Sequence, residues 1–360
     1  MGLINKVIRT IKNEGFRSLM IKVGQRFSGF LLSKLISRPS RTNWSQIKDS
    51  YKGETVYLIG NGPSLNETPL YLLKGQNTMV FNRFSLMLER INWQPTFYSV
   101  TDDLVLENMI DEATQMSEIA EKAFFPDISF RGNVLFKKFQ KILPNVYWLR
   151  QRPKLGFSTN LPDIFCGGTV IYEGFQILNF LGFSKIVFVG VDMNYKIHST
   201  ASSLSLNKTE IQSENDDDPN HFDPRYFGKG RKYHQPEKKV IDNIFVSLSY
   251  LSRIMKDIDI QIVNAGTNSS VDYFPRTTLI DELGFSDEDV ESKFYDLLGL
   301  YNYEGVESFE TLARKPLDSD CLPEKFRVKK KTALKLIKNL AGQYIPLGPF
   351  QDEYFFIRKR

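Results

Sequence analysis

The chain has few of the residues that mark metal and disulfide scaffolds. Its two cysteines, Cys166 and Cys321, lie far apart and form no Cys-x-x-Cys pair. That supports neither a structural zinc site nor a disulfide framework, and it fits a reducing compartment. Long apolar runs are also missing. No stretch approaches the ~20 residues that a spanning helix needs, and Lys6, Arg9 and Lys12 interrupt any leader-like apolar segment. The expectation is a cytoplasmic protein, soluble or peripheral on the inner face of the membrane. A chain-wide excess of one charge is lacking too. Residues 1–41 hold nine Lys or Arg against the single acid Glu14, a net of +8, so a whole-chain charge of +5 leaves the remainder at −3. The basic character is local and gives no reason to expect a nucleic-acid partner.

What is present is an ordinary globular composition, 41% apolar and 25% charged, enriched in Phe (28) and Tyr (16). Apolar residues from Leu3 to Leu31 recur at helical spacing among the cations. Residues 1–50 therefore read as a basic amphipathic arm, lying on an anionic membrane surface or packed on the protein. Short β-rich runs follow at Val56–Ile59, Met79–Phe81, Thr96–Val100, Ala123–Phe125, Val146–Leu149, Ile186–Val191 and Ile260–Val263. Helical patterns at Gly168–Leu181, ending at Gly182, and Pro236–Met255 lie among them. Unbroken apolar strands alternating with helices predict an α/β domain over 51–285, a Rossmann-like, doubly wound, mostly parallel sheet with helices on both faces. Residues 196–220 are polar and aperiodic, and read as a flexible lid loop. Residues 286–360 read as a helical, basic extension, with Phe326–Leu340 a second amphipathic element and possible membrane contact.

Three constellations carry chemistry. Gly60-Asn61-Gly62-Pro63-Ser64-Leu65 follows a buried strand directly, which makes it either a tight turn or a phosphate cradle of backbone amides. Leu65 stands where a dinucleotide fingerprint has its third glycine, and no Gly-Lys-Ser/Thr follows. Asn82, Thr101, Asp102, Asp103 and Asp192 come at the ends of later strands, where open α/β sheets bind ligands. The segment from Asn220 to His234 gathers two of the three histidines with tyrosines and cations, so His221 is a candidate general base. Asp216-Asp217-Asp218 lacks metal-ligand spacing and reads as a solvated charge run. His198 is given no role.

With GNGPSL at Gly60–Leu65, FNRF at Phe81–Phe84, CGGTV at Cys166–Val170, FVGVDMNY at Phe188–Tyr195 and NHFDPRYFGKG at Asn220–Gly230, residues 54–280 resemble bacterial sialyltransferases that use CMP-activated sialic acid. They also resemble Maf-type motility accessory factors and the family of the archaeal 6-hydroxymethyl-dihydropterin pyrophosphokinase. The sialyltransferase resemblance implies a glycosyltransferase, inverting in its chemistry, that needs no obligatory cofactor and no metal. Its partners would be a CMP-linked acidic sugar donor and a surface-glycan or lipid-linked acceptor. It places Gly60, Asn61, Gly62, Pro63 and Ser64 at the nucleotide, and Asn82, Thr101 and Asp102 at the donor sugar and phosphate. Gly167, Gly168, Thr169, Asp192 and Asn194 would hold the cytidine, and His221 would be the base. The family tyrosine that supports the leaving phosphate is displaced here to Tyr195, so Tyr226, Arg225, Lys229 and Arg231 are alternatives for that task. The pyrophosphokinase resemblance implies Mg²⁺ on Asp102, Asp103 and Asp192 instead. A non-catalytic nucleotide-binding assembly protein is the third option.

Overall fold

The computed structural model describes residues 43–130, 132–204, 210–234, 237–301, 303, 306–308 and 322–359, together with 12, 16, 17, 20, 23 and 24. Of the basic arm expected over 1–50, only 12, 16, 17, 20, 23, 24 and 43–50 are among the described residues, and Cys321 lies outside them. Among the described residues no helix is long and apolar enough to cross a membrane.

Among the described residues there are fifteen strands: β1 (Thr55–Ile59), β2 (Thr78–Phe81), β3 (Phe97–Ser99), β4 (Lys122–Pro126), β5 (Val146–Arg152), β6 (Asp163–Phe165), β7 (Lys185–Val189), β8 (Ser202–Ser203), β9 (Glu210–Gln212), β10 (Lys232–His234), β11 (Gln261–Asn264), β12 (Glu307–Ser308), β13 (Lys325–Lys329), β14 (Tyr344–Phe350) and β15 (Glu353–Arg358). Eight of them form one parallel sheet in the order β11-β7-β1-β2-β3-β4-β5-β6. The period of two divides their side chains between two cores. Val56 and Leu58 of β1, Phe81 of β2 and Phe188 of β7 face one layer, where the helices Val170–Leu181 and Lys238–Asp257 pack. Tyr57, Ile59, Val80 and Val189 face the other, covered by helix Ile110–Ile119 and by short 3₁₀ segments. Both faces are buried, as the unbroken apolar runs require. The expected doubly wound sheet is therefore present. The β1–β2 and β2–β3 connections are 3₁₀ turns rather than α-helices. The β1–β2 crossover contains Pro63 and Pro69, which interrupt any longer helical ladder there.

The strand order reverses between β1 and β7. Successive strands run β1, β2, β3 to one side, while β7 and β11 lie on the other, so the loops after β1 and β7 open the crevice where α/β sheets hold ligands. Gly60 and Gly62 let those two loops touch. A Cβ on Gly60 would meet the carbonyl of Gly190, and one on Gly62 would lie 2.6 and 2.7 Å from the carboxylate oxygens of Asp192.

Two expectations need correcting. Residues 196–204 and 210–220, read as an aperiodic loop, contain β8 and β9, which pair antiparallel with each other, and β9 pairs with β10. The carboxyl-terminal extension is only partly helical. Helices Asp287–Leu298 and Lys330–Asn339 are there, but β12–β15 form a second sheet. Phe326 and Val328 alternate with Lys325, Arg327 and Lys329, a strand period that the helical reading overlooked, while in β15 Tyr354 and Phe356 face the same core and Phe355 and Ile357 pack on the opposite face. Residues 326–329 are consequently strand. The apolar stripe of the following helix (Ala333, Leu336, Ile337, Leu340) is buried against that sheet and is not free for a membrane. At ~1.5–3 kcal/mol per fully buried large side chain, such a stripe holds its helix firmly on the sheet.

Candidate active site

The Gly60–Leu65 turn is built differently from a phosphate cradle. Gly60 N donates to Val189 O (2.8 Å), Gly62 N to Gly190 O (2.8 Å) and Leu65 N to Gly62 O (3.1 Å). Ser64 N donates to Asp192 Oδ2 at 2.9 Å, and its hydroxyl donates to Asp192 Oδ1. Asp192 therefore occupies the start of the short 3₁₀ turn Pro63–Glu67, where a phosphate was expected. Burial pushes its carboxyl up, and the two Ser64 bonds only partly offset this. The amides of Gly60, Gly62 and Ser64 serve the β1–β7 junction, and that of Leu65 closes the turn on itself. The side-chain oxygen of Asn61 stays open to a ligand. Its Nδ2 donates to Phe81 O at 3.1 Å, which fixes the amide orientation, and its buried Oδ1 has no partner among the described residues.

The same turn carries the histidine block. Phe222 N donates to Asn61 O (3.0 Å), and Asn66 Nδ2 donates to Phe222 O (2.7 Å). The neighbouring residue His221 is thereby pinned beside the β1 loop, close enough for its charge to act on Asp192. His221 Nδ1 lies 2.8 Å from Asp218 Oδ2. Its ring stacks on Tyr226 at 3.9 Å and 3°, and meets Phe227 edge-on at 5.0 Å. Asp218 is buried. Burial alone would push its carboxyl up, but the charge and hydrogen bond of His221, with the amides of Asn220 and Phe227, outweigh that and hold it below the usual range. An ionised carboxylate only accepts, so Nδ1 must carry a proton, and whenever the ring is neutral the lone pair is on Nε2. A half-buried imidazole with one nitrogen fixed by a buried carboxylate has the geometry to accept a proton at the other.

Asp216–Asp218 is thus no solvated charge run. Asp216 accepts from Lys229 N (2.8 Å), Asp217 binds His198 Nε2 (2.8 Å) and Thr200 (2.7 Å), and Asp218 binds His221. The sequence signal was available in the three-residue spacing of Asp218 and His221, although nothing local distinguishes it from a charge run. His198, given no role, is buried on Asp217 and Tyr233 and ties β10 to the 196–204 segment.

Other expected residues fall elsewhere. Tyr226 is wholly buried, with its hydroxyl beside the Asn82 side chain, and serves as the platform under His221 rather than as a phosphate ligand. Arg225 turns away and binds Asp223 (2.6 Å) at the junction with the carboxyl-terminal sheet. Arg231 binds Glu112 (2.5 Å) and Asn108 O (2.9 Å), and Lys229 is exposed. Neither guanidinium is free for a phosphate, because each already has a carboxylate. Tyr195 is 36% exposed, with its hydroxyl on Met193 Sδ. Asn194 bonds Ser270 and Asn268 O, and so braces the loop after β11. Asp102 caps helix Asp103–Glu107 through the amides of Leu104 (2.9 Å) and Val105 (3.0 Å), and Asp103 accepts from Phe130 N. Gly167, Gly168 and Thr169 form the start of helix Val170–Leu181, with Gly168 at φ +81° and Thr169 as the cap. Among the described residues no three His, Cys, Asp or Glu side chains assemble as a metal-binding group. Asp102, Asp103 and Asp192 do not come together in such a group.

The sequence reading also missed Glu173. It lies on the buried first turn of helix Val170–Leu181, accepts from the Thr101 hydroxyl, and has Cys166 and Gln151 against it. Burial pushes its carboxyl up to about 7 against those bonds. A lone acid within an otherwise apolar helical pattern was the available signal.

No family model matches the chain, and no curated protein matches it. Among solved structures, the sialyltransferase CstII from Campylobacter jejuni, in complex with cytidine-5'-monophosphate, is similar over 63% of this chain and 86% of that chain, at 14% identity and a TM-score of 0.35. CstII with CMP-3FNeuAc is similar over 62% and 86%, at 15% identity and 0.36. The Maf glycosyltransferase from Magnetospirillum magneticum AMB-1 is similar over 72% of this chain and 41% of that chain, at 13% identity and 0.38. This chain therefore spans less than half of the Maf protein's length. TM-scores this low decide nothing about the chemistry here.

Proposed function

We propose that the chain is an inverting glycosyltransferase whose donor is a CMP-linked acidic sugar of the sialic or nonulosonic acid type. The acceptor is then a hydroxyl of a surface glycan or glycolipid. The observation that carries this reading is the Asp218–His221 pair, stacked on Tyr226 and tied through Phe222 and Asn66 to the loop at the β1/β7 reversal. His221 Nε2 takes the acceptor proton as the acceptor oxygen forms its bond to the anomeric carbon. The bond from that carbon to the phosphate oxygen breaks, and CMP leaves with the electron pair. Asp218 stabilises the imidazolium that results, in the way a buried carboxylate serves any His base. The buried Asn61 Oδ1 needs a hydrogen donor, so it suits a ribose or sugar hydroxyl and not a phosphate oxygen. Tyr195, the partly exposed phenol after β7, and the exposed Lys229 are the groups left to support the departing phosphate. The donor is a substrate, and the reaction as written requires no cofactor.

The test is a thermal-shift panel of CMP, CDP, UDP, GDP and ATP, each with and without Mg²⁺. A ligand that binds only the folded chain at about 100 times its Kd adds ~2.7 kcal/mol. The expected outcome is a shift with CMP that Mg²⁺ does not alter. A shift confined to ATP with Mg²⁺ would replace this reading by diphosphate transfer.

A further inference from the structure

Beyond the β1/β7 reversal, the loop after β11 and the residues following the Pro63–Glu67 turn enclose a cleft of ≈ 600 Å³, which neither His221 nor Glu173 lines. That volume lies in the range of small-molecule sites, ~300–1,000 Å³. Its walls are continuous with the candidate active site. Asn66 holds Phe222, while the next two residues, Glu67 and Thr68, face the cleft. On the opposite wall the Ser269 hydroxyl donates to Val191 O (2.5 Å), and Ser270 N donates to Asp192 O (2.8 Å).

The cleft is preformed. Asn264, wholly buried, donates to Val271 O (2.9 Å) and accepts from Gly266 N (2.9 Å), so it shapes the loop from within. Arg276 clamps the same loop through Gly266 O (3.2 Å) and Ser269 O. Both charged residues of the lining already have partners, Glu67 in Lys330 (2.9 Å) and Arg276 in Asp272 (3.1 Å). The groups left to a ligand are the exposed Thr267 and Asn268, with Pro69 and Ile280 supplying apolar surface. Hydroxyl and amide groups beside apolar patches, with no unmatched charge, fit an uncharged polyhydroxylated ligand. An anion finds no unpaired cation there.

We infer that this cleft is the subsite for a neutral sugar of the acceptor, on the β11 side of the site. The inference rests on the proposed transfer only in naming the ligand an acceptor. The sugar class follows from the lining alone.

The experiment is saturation-transfer NMR on the full chain with lactose, maltotriose and N,N'-diacetylchitobiose, with glucuronate as a charged control. At least one neutral sugar is expected to give a signal that Asn268→Trp removes and His221→Ala leaves, while the CMP thermal shift survives in Asn268→Trp. If Asn268→Trp does not fold, Thr267→Arg takes its place. The inference is overturned if no neutral sugar gives a signal sensitive to the blocking variant, or if glucuronate binds as well as the neutral sugars. A blockable sugar signal without any CMP shift would retain the cleft and sink the proposed donor.

Discussion

Replacing Gly62 with alanine tests the junction on which the site is built. Gly62 sits at φ −66°, ψ 161°, which any residue adopts, so the backbone would accept alanine without strain. By itself the change would restrict the unfolded chain and stabilise by ~0.4–1 kcal/mol. Sterics reverse the sign. The added Cβ would lie 2.6 and 2.7 Å from the Asp192 carboxylate oxygens, so Asp192 must move off Ser64. Two hydrogen bonds to a carboxylate are then weakened, at ~1.5–3 kcal/mol each, with partial relaxation. The expected net loss is about 2–4 kcal/mol, read as a lower urea midpoint at unchanged slope. The double variant Gly62→Ala/Asp192→Ala should lose less than the sum of the singles by at least ~1 kcal/mol, because the clash is gone. A Gly62→Ala protein as stable as the parent would refute the packed β1–β7 loop contact.

Asp218→Asn keeps the shape but can donate to Nδ1, which moves the imidazole proton to Nε2. Transfer should fall by about 10²–10⁴ in kcat, with the CMP shift intact. Arg225→Ala should lower stability by about 2–3 kcal/mol, since Asp223 is left buried, and leave kcat unchanged. A loss of turnover at full stability would return Arg225 to the site. Glu173 has a folded pKa raised from 4.5 to about 7, so its contribution is fully present below pH 4.5 and lost as pH rises through 7. Glu173→Gln should therefore gain about 3 kcal/mol over the parent at pH 8 relative to pH 4, in urea unfolding. A pH-independent difference would show that Glu173 is not desolvated.

The sheet was legible because β1, β2 and β7 are buried on both faces and so carry unbroken apolar runs. Gly182 marked the end of helix Val170–Leu181 for an equally local reason, and it is found there at φ +93°. Where alternation was short and interleaved with cations, as at Lys325–Lys329, a helix reading fitted the same letters and the strand was missed. Residues 196–204 and 210–220 hid their structure because their order comes from distant partners, such as His198 with Tyr233, 35 residues away. His221 was visible from its aromatic and glycine neighbours, whereas the commitments of Arg225 to Asp223 and of Asp192 to Ser64 exist only in three dimensions. Sequence could nominate the strand ends, but only packing shows which amides are already occupied.

The most direct measurement is transfer and CMP binding in His221→Ala, assayed with CMP-linked nonulosonic acids and a glycan acceptor panel on which the parent turns over. If His221 is the base held by Asp218, the variant loses turnover by at least ~10²-fold while CMP still raises the melting temperature as it does for the parent. Undiminished turnover in a folded His221→Ala protein would contradict the account.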